Sequence, residues 1–137
     1  MTPTPSAPGS AWRALVRKNG TVEFAAAFSR TVSLEASVMN ERCIGVYLVA
    51  AFFAATTTMY DRLDFTHETV AGRKTFFEWE GAAFGFDIAG TTVVTRNEAG
   101  LIDSIRLYHR PLHQIVRFST ELAQRLEGKV DRRMFGA

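Results

Sequence analysis

Few side chains in this sequence can move a proton near neutral pH: three histidines, His67, His109 and His113, and a single cysteine, Cys43, set among scattered carboxylates and cations. An imidazole titrates close to neutral pH, so a histidine on a pocket wall can serve as acid or base unaided. His109 ends a β-rich run just before Arg110-Pro111, and His67 alternates with Leu63, Phe65 and Thr69 in another. Both are catalytic candidates, set against the plainer reading of a satisfied structural group. Arg73 can attract a carboxylate or an enolate if it points inward, and is solvated if its place beside Gly72 starts a strand. Asp61 follows Tyr60, where a long helix should end; a carboxylate there acts on a substrate or binds backbone N–H groups of its own loop. No metal and no cofactor is expected. His109 and His113 are four residues apart, but Pro111 breaks the chain between them and no cysteine pair accompanies them. Cys43 has no histidine nearby in sequence and opens an apolar helix, the setting of a buried, inert thiol.

The elements that must position these groups follow from periodicity. Trp12, Leu15 and Val16 share a helical face that Asn19-Gly20 stops, and a second helix follows, capped by Thr21 and carrying the pair Phe24 and Phe28. Over 31–38 the period becomes two, a strand with one face buried. A third helix is expected from 41 or 42 to about 60, apolar nearly all round and so buried on both sides. Four strands are expected over 63–70, 73–80, 86–96 and 101–109, with turns short enough to make an antiparallel meander. A closing amphipathic helix then runs from Leu112 to the stop at Gly128. The result is an α+β domain over 11–128, helices lying on one face of a curved antiparallel sheet. Flanking it are a flexible arm over 1–10 and a basic tail over 129–137, read as a solvated terminus.

Bulk properties narrow the function classes. At 137 residues with 47% hydrophobic and 22% charged content, the chain is one globular domain able to bury a real core. A net charge of +2, with cations and carboxylates interspersed, provides no stripe for nucleic acid. The most apolar run, 43–55, falls short of the roughly 20 residues that span a bilayer, so no membrane partner is expected. The first ten residues lack the basic and apolar regions of a secretory signal, and a lone cysteine gives no sign of an oxidising compartment, so the expected location is cytoplasmic.

The order of elements resembles the cone-shaped superfamily of nuclear transport factor 2, ketosteroid isomerase, scytalone dehydratase and the SnoaL-like cyclases. The resemblance runs from Trp12 to about Phe118. It is carried by the order and spacing of Phe28, Gly45 with Phe52-Phe53, the turn Trp79-Glu80-Gly81 and the hairpin from Arg96 to Ile102. It implies a curved antiparallel sheet wrapped around N-terminal helices, forming a cone with an interior pocket. Aligned with ketosteroid isomerase, the oxyanion tyrosine falls on Trp12, the oxyanion aspartate on Thr92 and the general base on Ala36. Ala36 cannot take a proton, so isomerase chemistry of that kind is not expected.

The same alignment sets strand parity. Inward are Arg73, Thr75, Phe77 and Trp79, then Phe86, Ile88, Gly90, Thr92 and Val94, then Ile105, Leu107 and His109. The implied ligand-binding wall is Trp12, Arg73, Phe77, Trp79, Thr92, Ile105 and Leu107, with His109 and His67 as the catalytic candidates, and its ligand is a small apolar or aromatic molecule. Outward, Phe76, Val93 and Tyr108, with Glu78 and Arg106 free to pair across strands, imply a homodimer through the outer sheet face. Two functions stay open: a SnoaL-like binding protein with cofactor-independent acid–base chemistry, and a non-catalytic module for ligand binding or protein association.

Overall fold

Alternation of small or apolar with polar residues through the second half of the chain gives strands with one buried face, and helices from both ends cover that face. The computed structural model describes residues 7–135. Helices α1 (Ser10–Arg17) and α2 (Val22–Ala26) precede strand β1 (Phe28–Ala36), a two-residue strand β2 (Cys43–Ile44) and helix α3 (Val46–Thr56). The meander β3 (Arg62–Ala71), β4 (Lys74–Ala83), β5 (Phe86–Arg96) and β6 (Ile102–Arg110) leads into α4 (Leu112–Arg125) and a 3-10 turn at Arg132–Met134. The chain is therefore α+β, with one six-stranded sheet in the order β2-β1-β6-β5-β4-β3.

The meander is antiparallel throughout, but β1 pairs with β6 in parallel, so the sheet is mixed where a wholly antiparallel one was expected. The connection between β1 and β6 carries α3 and four strands, ample length for a parallel return. Helix α3 packs on β1, and α4 on β6 and β5. Between these layers Val32, Leu34, Phe52, Ile105, Phe118 and Leu122 are at most 1% exposed. Each such side chain contributes about 1.5–3 kcal/mol relative to exposure.

Helix α3 is shorter than its apolar run suggests. Cys43 and Ile44 pair with Leu34 and Ser33, and Gly45, at φ 98°, turns the chain from that short strand into the helix. At the other end the Thr57 and Thr58 hydroxyls donate to the carbonyls of Ala54 and Ala55, local bonds that compete with further helix. Nor is the helix buried all round, since Tyr47 is 71% exposed. Thr21 caps α2 as expected, accepting from the Phe24 N–H at 3.2 Å.

Both ends of the chain are tied down where described. Of the arm over 1–10, residues 1–6 lie outside the described residues, while Gly9 is buried and its N–H donates to Glu68 Oε1 at 2.8 Å. The segment after Gly128 is more than a solvated tail: Met134 and Phe135 are buried, and Asn40 Nδ2 donates to the carbonyls of Arg133 and Phe135. Among the described residues no helix is long and apolar enough to cross a membrane.

Candidate functional site

Strand register lays out the site before any helix is added. Trp79 on β4, Gly90 on β5 and His109 on β6 form one row across the inner face; Phe77, Thr92 and Leu107 form the next. All six are buried. The missing side chain at Gly90 makes room for the Trp79 indole: a Cβ there would meet Trp79 Cζ2 at 2.5 Å and would also strike the Tyr108 carbonyl. The indole meets His109 edge-on with ring centres 5.5 Å apart, and its Nε1 donates to Thr92 Oγ1 at 3.0 Å.

Helices α1 and α3 and the loop after α3 stand over these rows and leave a cavity of about 520 Å³. That volume suits a small organic ligand. Its walls are aromatic and apolar, with Trp12, Phe52, Phe53, Tyr60, Trp79 and Leu107 among them. Polar groups enter at His109, Thr92 and Thr56, and charged ones at Arg13, Arg17, Asp61, Arg62 and Asp64. Of those five, Arg13 is half-buried and the rest are exposed, so they mark the mouth.

His109 is 7% exposed. Its backbone N–H donates to Ser37 Oγ at 2.7 Å, and its Nδ1 lies 3.1 Å from the same oxygen. Nδ1 is thereby engaged, which leaves Nε2 for the cavity. Burial pushes the imidazole down to about 4, so it is neutral at neutral pH. Tyr60 is half-buried by area because it lines the cavity, while Trp79 and Phe118 enclose its ring at 5.7 and 5.3 Å. Burial raises the phenol well above its ordinary value, so it remains a hydrogen-bond donor. The cavity thus offers neutral polar groups, His109, Tyr60 and Thr92 among them, in an aromatic wall.

Of the residues expected at the site, Trp12, Trp79, Thr92, Leu107 and His109 line the cavity. Phe77 and Ile105 lie in the core beside it, Phe77 stacked on Trp12 at 6.2 Å and Ile105 fully buried. His67 is not at the site. Phe65 pairs with Trp79 and His67 with Glu78, leaving Thr66 as a bulge that turns His67 to the outer face. There its Nδ1 is 3.2 Å from Glu78 Oε2. Arg73 is also elsewhere, exposed in the β3–β4 turn and 3.5 Å from Glu98. Phe86, expected inward, is 54% exposed and packs edge-on to His113 at the sheet margin. Asp61 behaves as a loop carboxylate, accepting from the Gly85 N–H at 3.4 Å, while still reaching the cavity mouth. Cys43 is 1% exposed, and burial pushes its thiol up, away from reactivity. Among the described residues no three His, Cys, Asp or Glu side chains gather as a metal cage.

Ser37 and Tyr60 were not singled out from the sequence as site residues. Ser37 sits on the polar phase of the β1 alternation, and Tyr60 falls between a helix and a strand, where no periodicity points it anywhere. An aromatic residue at the expected end of a long apolar helix was the one available signal for Tyr60.

Solved structures share this fold. A steroid delta-isomerase from Pseudomonas aeruginosa superposes with a TM-score of 0.77, over 86% of this chain and 88% of its own, at 13% identity. An uncharacterised protein with a cystatin-like fold from Silicibacter pomeroyi DSS-3 gives a TM-score of 0.75 over 83% and 81%, at 18% identity. The chain has the cystatin-like cone fold. A de novo designed nuclear transport factor 2 fold protein agrees, with a TM-score of 0.57 over 82% and 89% at 19% identity. No family model and no curated protein matches the sequence. Within this cone Ala36, which the resemblance aligns with the general base of ketosteroid isomerases, is a buried methyl group paired with Leu107. A cone of this kind hosts many activities, so function has to be argued from the cavity itself.

Proposed function

We propose that the protein binds a small cyclic or aromatic molecule in the cone, with the ligand's polar edge, a carbonyl or hydroxyl, turned toward His109, Tyr60 and Thr92. The observation that carries this reading is the cavity of about 520 Å³ lined by aromatic rings yet supplied with neutral polar groups. A purely structural core gains nothing from burying an imidazole and a phenol beside empty volume. Tyr60 donating to a carbonyl also suits acid–base chemistry on an enolisable ring compound: with the Ser37 hydroxyl donating to the Leu107 carbonyl, Nδ1 keeps the imidazole proton, and the unprotonated His109 Nε2 takes a proton from the carbon beside the carbonyl and returns it to the ligand ring. The chain is then an isomerase-, cyclase- or dehydratase-like catalyst that needs no cofactor.

Ala36 favours the second reading, a non-catalytic binding or association module, because the position aligned with a base has none. Thermal unfolding of the wild type and of His109→Ala against steroid ketones, polyketide-like ring ketones and aromatic acids separates a ligand-binding cone from an association module. Ligand binding to the native state raises the midpoint by linkage, and the rise should shrink in the variant. No stabilisation across the panel would favour the association module.

A further inference from the structure

The cavity mouth is not electrically neutral. Three guanidinium groups, Arg13, Arg17 and Arg62, share it with two carboxylates, Asp61 and Asp64. Arg62 is already matched, its Nη1 lying 2.6 Å from Asp64 Oδ2. Asp61 accepts from a backbone N–H. Among the described residues neither Arg13 nor Arg17 has a carboxylate within ion-pair distance. They stand one turn apart on α1, so both guanidinium groups project from the same side of that helix. Arg13 is steered further: its guanidinium lies 5.8 Å from the centre of the Phe65 ring, which also lines the cavity.

The depth of the cavity has the opposite character. His109, Tyr60 and Thr92 are uncharged, and the surrounding rings cannot solvate an ion. A ligand charge placed there would be expensive, whereas at the mouth it meets two unmatched guanidinium groups still open to water.

Building on the proposed function, we infer that the ligand is a monoanionic carboxylic acid, its ring system buried toward His109 and its carboxylate held at the mouth by Arg13 and Arg17. The net charge of the rim, one positive, matches one carboxylate. The same pair also sets the orientation of the ligand, since the molecule enters with its uncharged ring end leading, any carbonyl or hydroxyl on that ring included.

The test uses two fluorescent probes that differ in charge alone, 1-pyrenebutyrate and 1-pyrenebutyramide, titrated into the full chain. The acid should bind about tenfold more tightly than the amide at low salt, and the preference should fall as salt rises. Arg13→Gln/Arg17→Gln should abolish the preference and leave amide binding in place. Arg17→Gln alone, a change at an exposed position that does not touch Phe65, should remove part of it. Arg73→Gln, far from the mouth in the β3–β4 turn, should leave it intact. Equal binding of acid and amide to the wild type, or a preference that survives in the double variant, would overturn the inference while leaving the cavity reading standing. Binding of neither probe would overturn both.

Discussion

His109 sits where burial and hydrogen bonding act on one ring. Its pKa is held down to about 4, below the 6.5 of a free imidazole, so the unfolded chain binds a proton there that the native state refuses. The stabilising effect of the neutral ring is complete above pH 6.5 and is lost as pH falls toward 4. The full shift corresponds to about 3 kcal/mol as an order of magnitude. Urea unfolding of the wild type should therefore show stability dropping between those pH values, and His109→Gln should flatten that part of the profile. A variant with the same slope as the wild type would mean that other groups carry it. Ser37 belongs to the same device. Its hydroxyl accepts from the His109 backbone and lies beside Nδ1, fixing which ring nitrogen faces the cavity.

At the scale of strands, the site depends on one glycine. Gly90 stands between Trp79 and His109 in the row across β4, β5 and β6, and the indole occupies the space a side chain would fill. Gly90→Ala should cost about 3 kcal/mol, because the neighbours are a backbone carbonyl and a rigid ring that cannot yield cheaply. The same substitution should change the near-ultraviolet circular dichroism of Trp79. An alanine variant as stable as the wild type would show that the indole has room elsewhere. These rows were legible because the family resemblance fixed the parity of the strands, which Thr75, Phe77 and Trp79, then Ile88, Thr92 and Val94, then Ile105, Leu107 and His109 keep. His67 was misread because the Thr66 bulge adds a residue to β3, and period two carries no mark of where a strand slips. Phe86 and Arg73 lie at strand ends, where parity no longer implies burial. The start of α3 was hidden because Cys43 and Ile44 are as apolar as the helix that follows Gly45.

For the whole molecule, two surfaces remain to be used, the cavity and the outer face of the sheet. On that face Tyr108 is 54% and Phe76 37% exposed, with Val93 opposite Phe76 in the register. Glu78 and Arg106, expected to be available for cross-strand pairing on this face, lie against His67 at 3.2 Å and Glu35 at 3.9 Å. We propose that two copies meet through this face about a two-fold axis. Sedimentation should give a dimer that Phe76→Glu/Tyr108→Glu converts to monomers; a wild-type monomer at tens of micromolar would contradict the pairing.

The central claim is that a small molecule enters the cone and touches His109. The three histidines of the chain allow it to be read directly by imidazole nitrogen NMR, with exposed His67 and His113 as internal references. On titration with 2-acetonaphthone, a neutral aromatic ketone, the account predicts a shift of the His109 Nε2 resonance while the other two rings stay unmoved. An unchanged His109 resonance, or shifts confined to His67 and His113, would contradict it.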